Sequence, residues 1–184
     1  MRQGTIEIDG RRMTCHSLNT LVVGSGAAAL NAAVQLFDLG QSDVAIATEC
    51  WGGGTSNNTG SDKQTYYKLS LAGDTPDSVK EMARDLFRGG SMHGDIALCE
   101  AQNSARAFYH LVSLGVPFPF DRFGAYVGYK TDHDPRQRAT SAGPLTSQLM
   151  FQSLSRAVRD RGIPVFDRHD VVSLLTREEG GGRA

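Results

Sequence analysis

The stretch GSGAAALNAA, residues 24–33, stands between the apolar run TLVV and a helical pattern, and this arrangement restricts the folds open to the chain. TLVV followed by glycine is typical of a buried parallel strand. Apolar residues then recur at spacings of three and four up to Gly40, where a helix end favours a left-handed residue. DVAIATE, residues 43–49, predicts a second strand. Strand, helix and strand in about thirty residues form a βαβ unit.

Two more regions carry clear secondary-structure signals. TIEIDGRRMTC alternates around the dipeptide DG at residues 9–10, which favours a two-residue turn and predicts a short N-terminal β-ribbon. In DTPDSVKEMARDLFRGG, Thr75 is predicted as the N-cap of a helix with Pro76 at its first position. Further helical patterns end at Gly115 and Gly162.

The last part of the chain, IPVFDRHDVVSLLTREEGGGRA, contains two strand-like pieces. The second, residues 171–176, is expected to expose an unpaired strand edge, because the second strand of its hairpin is missing. Strands that alternate with helices predict an α/β fold with a mainly parallel sheet, built as one domain over residues 1–184.

Composition narrows the classes of function. The chain has 184 residues, 40% of them hydrophobic, which is enough for a sizeable core. The 19 basic and 20 acidic side chains form no basic stripe, so a nucleic-acid partner is not expected. No segment approaches the roughly 20 apolar residues of a membrane span. Cys15, Cys50 and Cys99 are scattered and form no CxxC pair, which favours a cytoplasmic setting without a zinc site or disulfides.

The glycine turn has the spacing of a dinucleotide site. Gly24 permits a tight turn, Gly26 lets backbone amides approach a pyrophosphate, and the small Ala29 allows close packing of helix and strand. The helix N-terminus adds partial positive charge. Glu49 ends the second strand, where its carboxylate can accept hydrogen bonds from ribose hydroxyls. The alternative is a glycine turn without a ligand.

The loop after Glu49 favours FAD over NAD. CWGGGTSNNTGSDKQ intervenes before the next helical pattern, and it combines glycines with neutral hydrogen-bonding side chains. Such a loop could run along an extended ligand, and its composition suits a diphosphate and an isoalloxazine edge.

VVGSGAAALNAAVQL, VAIATE and GGGTSNNTGSD together resemble the start of the succinate dehydrogenase/fumarate reductase flavoprotein family. The resemblance continues through LTSQLMFQSLSRAVRDRGI to the end of the chain. It implies a Rossmann-like FAD-binding domain and an oxidoreductase in which flavin N5 and a small, carboxylate-bearing substrate exchange a hydride. The alternative is a non-catalytic dinucleotide-binding subunit that works only with a second chain.

The resemblance also assigns residues to the parts of the cofactor. The pyrophosphate would be held by Gly24, Ser25, Gly26, Ala28 and Ala29, and the ribose by Glu49. Cys50 borders this site. The pyrophosphate and flavin would be lined by residues 53–62, among them Gly53, Gly54, Thr55, Ser56, Thr59, Gly60, Ser61 and Asp62. Val171 or Val172 would lie by the adenine.

Two departures from the family pattern concern the flavin. Some members attach FAD covalently through a histidine in this loop, but Thr55 stands in that register, so non-covalent FAD is expected. Asp62 falls where the family has a Gly-Gly pair, and an acid beside the flavin could alter its redox potential.

Arg138 and Asp62 are the candidate catalytic residues. Arg138 could hold a substrate carboxylate through its bidentate guanidinium, or it could form a structural ion pair. The neighbouring run Asp132-His133-Asp134 offers potential metal ligands, but adjacent residues rarely converge on one ion, so no metal is expected.

The resemblance further implies that the chain is the N-terminal part of a larger unit. In the family, returning strands and a capping domain follow, and the capping domain supplies catalytic groups. We therefore expect residues 1–184 to be inactive alone and to need a second chain or a continuation.

Overall fold

The computed structural model describes residues 1–61, 63–132, 134–176, 178–179 and 182–183. Its strands are β1 (Arg2–Ile8), β2 (Arg11–Ser17), β3 (Thr20–Val23), β4 (Val44–Thr48), β5 (Tyr66–Tyr67), β6 (Ala139–Thr140), β7 (Val165–Asp167), β8 (Glu178–Glu179) and β9 (Gly182–Arg183). Its helices are α1 (Ala27–Asp38), α2 (Thr55–Asn58), α3 (Val79–Arg88), α4 (Gly94–Ser113) and α5 (Thr146–Asp160). Contacts divide the chain into two compact units, Met1–Thr55 with Ser155–Ala184, and Ser56–Leu154.

A parallel three-stranded sheet is the centre of the first unit. Its strand order is β3-β4-β7, and all five residues of the central strand β4 are buried. Helix α1 connects β3 to β4 and turns Leu30, Ala33 and Val34 completely inward. It ends at Leu39, and Gly40 follows with a left-handed φ of +94°. This arrangement confirms the predicted Rossmann-like α/β fold with a mainly parallel sheet.

The N-terminal ribbon is also as predicted. Strands β1 and β2 pair antiparallel along their whole length, from Arg2 opposite Ser17 to Ile8 opposite Arg11. The turn residues Asp9 and Gly10 both have positive φ, 49° and 73°, as a two-residue hairpin with a right-handed twist requires.

The second unit contains a pair of packed helices and an aromatic cluster centred on Phe108. Helices α3 and α4 contact each other and bury Met82, Ala97 and Ala101. Phe108 of α4 is fully buried and lies 4.8 Å from Phe118 and 5.2 Å from Tyr126, measured between ring centroids. Aromatic rings at such offsets stabilise a core beyond the area they bury.

Helix α3 begins later than the sequence predicts. Its N-cap is Ser78, whose Oγ accepts a hydrogen bond from the backbone N–H of Glu81 at 3.2 Å, so the assignment of Thr75 is wrong. Ser78 and Glu81 form the S-x-x-E capping pattern, which outcompetes the proline signal. The carboxylate of Asp77, just before the cap, accepts hydrogen bonds from Arg138 and from the backbone N–H of Ser70.

The predicted strand at residues 171–176 is wrong. These residues form no regular structure, and Val172, Leu174 and Leu175 are more than 85% exposed. The chain leaves β7 through Arg168, which has a left-handed φ of 59°. Further on, β8 and β9 pair antiparallel with each other.

Lys68 is a buried cation in the second unit. Its side chain is 1% exposed, its Nζ lies 3.4 Å from the carbonyl oxygens of Leu69 and Tyr126, and it stands 5.0 Å from the centroid of Phe108. Burial lowers the pKa of Lys68 below its ordinary value of 10.5. None of the ion pairs found among the described residues includes Lys68.

We expect Lys68→Met to stabilise the protein by about 1 kcal/mol at pH 7, because it removes a desolvated charge and keeps the buried volume. The charged form is disfavoured in the folded state, so the gain is full below the folded pKa and disappears as pH rises towards 10.5. Urea unfolding at pH 7 and pH 10 measures this gain. Lys80→Met, on the exposed face of α3, is the control and should change stability little.

Candidate functional site

A cavity of about 640 Å³ opens at the carboxyl ends of the strands in the first unit. Parallel sheets place ligands at this edge, since the loops and helix N-termini converge there. Three segments form its walls: the glycine turn, the loop after β4 and the turn after β7. Its lining residues are Val23, Gly24, Ser25, Gly26, Ala47, Thr48, Glu49, Cys50, Gly53, Gly54, His169, Asp170 and Val171.

The glycine turn forms the first wall. Gly24 has a left-handed φ of +103°, and its N–H donates to the carbonyl of Ala47 at 2.7 Å, which fixes the turn to β4. Gly26 is the N-cap of α1 in an extended conformation, with φ −74° and ψ 174°, and no side chain caps the helix from it. The positive φ favours glycine at position 24, and a Cβ built there would make an ordinary contact of 3.9 Å with the Cβ of Ala29. The turn therefore presents a helix N-terminus to the cavity.

The loop after β4 forms the second wall. Glu49 is exposed and follows the last residue of the strand. The N–H of Gly53 donates to the carbonyl of Cys50 at 3.1 Å, and Gly52 has a φ of +76°, which is the pattern of a type II turn. A Cβ on Gly53 would approach the Cβ and Sγ of Cys50 to 2.9 Å, so this tight loop requires glycine there.

The third wall is the turn after β7, and two of its residues were not predicted. His169 and Asp170 line the cavity beside the predicted Val171. The N–H of His169 donates to the carbonyl of Thr48 at 3.0 Å, and its Nδ1 lies 2.7 Å from the carbonyl of Asp167. The only sequence signal was indirect: β7 had to end at the same sheet edge as β4.

The predicted cofactor residues are distributed unequally over the chain. Eight of them line the cavity together: Gly24, Ser25, Gly26, Glu49, Cys50, Gly53, Gly54 and Val171. Ala28 and Ala29 lie in the first turn of α1, and Val172 is 89% exposed. Thr55 is the last residue of the N-terminal segment of the first unit, and Ser56, Thr59, Gly60 and Ser61 belong to the second unit. Asp62 lies outside the described residues.

Within the second unit, Gly60 and Ser61 lie against the residues that precede α5. A Cβ on Gly60 would approach Cδ2 of Leu145 to 3.0 Å, and the N–H of Ser61 donates to the carbonyl of Pro144 at 2.9 Å. The hydroxyls of Thr59 and Ser147 are 3.4 Å apart. The glycine at position 60 is thus accounted for by close packing, and the role of this segment towards a flavin stays a prediction.

Arg138 is completely buried in a network of carboxylates. Its Nε and Nη2 donate to the two carboxylate oxygens of Asp77 at 2.7 and 2.6 Å, and its Nη1 donates to Asp85 at 2.9 Å and to the Tyr67 hydroxyl at 3.0 Å. Burial opposes ionisation of the Arg138 guanidinium, but these hydrogen bonds outweigh it and raise its pKa. The contacts favour the structural ion pair over binding of a substrate carboxylate.

The described residues contain no group of three His, Cys, Asp or Glu side chains arranged to hold a metal ion. Among them there is also no helix long and apolar enough to cross a membrane.

Several solved structures share the fold of this chain. Mycobacterium smegmatis Sdh1 matches with a TM-score of 0.71 and 21% identity, over 83% of this chain and 28% of that one. The E. coli quinol fumarate reductase FrdA matches with a TM-score of 0.70 and 18% identity, over 82% and 26%. A 3-ketosteroid-delta4-(5alpha)-dehydrogenase from Rhodococcus jostii matches with a TM-score of 0.64 and 17% identity, over 90% and 43%.

These likenesses concern the fold, and the chain spans about a quarter of the length of the first two proteins. No curated protein sequence matches the chain. A family model described as "FAD binding domain" matches residues 19–184, which include all three walls of the cavity. The predicted cofactor and family resemblance are confirmed, and the chain belongs to this FAD-binding domain family.

Proposed function

We propose that the cavity holds the adenosine diphosphate part of a non-covalent FAD. The observation that carries this proposal is the convergence of three different groups on one cavity: the N-terminus of α1, the carboxylate of Glu49 and the turn after β7. Backbone N–H groups at the helix N-terminus suit the pyrophosphate, and Glu49 suits the ribose hydroxyls. The remaining wall, His169 to Val171, is then next to the adenine.

We further propose a flavin-dependent oxidoreductase of the succinate dehydrogenase/fumarate reductase type, in which residues 1–184 provide the nucleotide-binding part. The flavin supplies hydride transfer at N5, while the protein supplies binding and orientation. Glu49 and the glycine turn would hold the cofactor by its adenosine diphosphate end. The fold of a fumarate reductase supports a small carboxylate substrate, and completion by a second chain or further segments is part of the same proposal. The three free cysteines agree with a cytoplasmic setting.

The colour of the purified protein tests this function. We expect protein purified from its native source to be yellow and to release free FAD into the supernatant when it is precipitated with acid. A yellow pellet with a colourless supernatant would contradict the non-covalent mode. A colourless protein that binds NAD and not FAD would contradict the proposed function itself.

A further inference from the structure

Two buried hydroxyl groups connect the glycine turn to the loop after β4. The Oγ of Ser25 and the Oγ1 of Thr48 lie 2.9 Å apart, and the two residues are each 6% exposed. Both hydroxyls also reach the carbonyl oxygen of Cys50, at 3.3 Å from Ser25 and 3.4 Å from Thr48. Two hydroxyl protons satisfy this triangle in either arrangement, since one hydroxyl donates to the other and the second donates to the carbonyl.

The three residues of this hydrogen-bonded triangle belong to the glycine turn and to the two positions that flank Glu49. Ser25 is the middle residue of the turn Gly24-Ser25-Gly26, and Thr48 and Cys50 are the two neighbours of Glu49. The Ser25 hydroxyl therefore contacts the side chain of the residue before Glu49 and the backbone carbonyl of the residue after it. The carbonyl of Thr48 also accepts the N–H of His169, so the third wall is attached to the same residue.

We infer that Ser25 and Thr48 are positioning residues that set the separation between the phosphate-binding turn and the ribose-binding carboxylate. This inference rests on the proposed function. The diphosphate and ribose of a bound nucleotide are covalently joined, so their binding groups must stand at one fixed separation. A site that holds this separation before the ligand arrives avoids the free-energy cost of ordering it on binding. Neither hydroxyl has to contact the ligand.

The test compares the variants Thr48→Val and Thr48→Ser. Each is made in the wild-type background and in the Glu49→Ala background, and ADP binding is measured by calorimetry. Valine keeps the shape of threonine and removes the hydroxyl, whereas serine keeps it. With Glu49 present, we expect Thr48→Val to weaken ADP binding by about threefold to tenfold, the range of one lost hydrogen bond. Thr48→Ser should restore the affinity. With Glu49→Ala, the valine should have almost no further effect, because Thr48 acts through that carboxylate.

Two further readouts separate positioning from a general structural role. Inorganic pyrophosphate has no ribose, so its affinity should not change in Thr48→Val. In thermal unfolding without ligand, the effects of Thr48→Val and Glu49→Ala should add, since Glu49 is exposed and its coupling to Thr48 concerns the ligand. If Thr48→Val does not fold, Ser25→Ala removes the other hydroxyl, and the loss of ADP affinity that it causes should likewise become smaller with Glu49→Ala.

An equal loss of ADP affinity in both backgrounds, or an equal loss for pyrophosphate, would overturn the inference and leave FAD binding intact. A wild-type protein that binds neither FAD nor ADP would overturn the proposed function as well.

Discussion

Gly26→Val is expected to abolish FAD binding without unfolding the protein. Gly26 has extended backbone angles, φ −74° and ψ 174°, which valine adopts without strain. Its branched side chain, however, would stand at the N-terminus of α1, where the proposed function places the pyrophosphate. Each charged hydrogen bond lost there contributes about 1.5–3 kcal/mol, so two of them correspond to a Kd at least about a hundredfold higher.

Equilibrium titration with FAD measures this loss, and thermal unfolding without ligand reports the fold. Gly4→Val is the matched control, because a Cβ at Gly4 in the N-terminal ribbon meets no atom within 4 Å. The control should bind FAD like the wild type. Normal FAD affinity in Gly26→Val would show that the glycine turn does not hold the phosphates.

Arg138→Met is expected to destabilise the second unit by about 3–5 kcal/mol, because it leaves the buried carboxylate of Asp77 without its counter-charge. The side chains of Arg138 and Asp77 are both completely buried. Burial opposes ionisation of Asp77, but hydrogen bonds from Arg138 and from the N–H groups of Ser70 and Ser78 outweigh it and lower its pKa below 3.8. The pair thus stabilises the fold above pH 3.8, and this contribution is lost as the pH falls through the lower, folded-state pKa.

Arg161→Met provides a control with the same geometry and greater exposure. Arg161 binds Asp38 through two hydrogen bonds of 2.6 and 2.8 Å, but these side chains are 23% and 40% exposed. Solvent screens such a pair, so its loss should change the free energy of unfolding by less than about 1 kcal/mol. Denaturant unfolding at pH 7 compares the two variants. Equal losses in the free energy of unfolding for the two variants would mean that burial does not determine how much the Arg138 network stabilises the fold.

Sequence patterns predicted those parts of the fold that are determined by residues close together in the chain. The βαβ unit, the ribbon turn at Asp9-Gly10 and the helix end at Gly40 all appear as expected. The start of α3 was misjudged although its signal is also local: the S-x-x-E pattern at Ser78 and Glu81 sets the N-cap, and the prediction followed Thr75 and Pro76 instead.

In the candidate site, residues of a local motif were predicted, and residues whose place depends on distant parts of the chain were missed. Gly24, Gly26 and Glu49 were predicted because a motif fixes their spacing, and they line one cavity. His169 was missed because its place depends on β7 joining the sheet next to β4 and on a turn through Arg168 with a positive φ. The predicted strand at residues 171–176 failed for a related reason: apolar residues there pair with no strand among the described residues.

Competition for bound FAD tests the central claim most directly, because it identifies the part of the cofactor that the cavity holds. The protein is loaded with FAD, and the release of flavin fluorescence is followed while ADP or FMN is added. The account predicts that ADP displaces FAD, that FMN does so only weakly, and that Glu49→Ala diminishes the effect of ADP. Displacement by FMN and not by ADP, unchanged by Glu49→Ala, would contradict the assignment of this cavity to the adenosine diphosphate part of FAD.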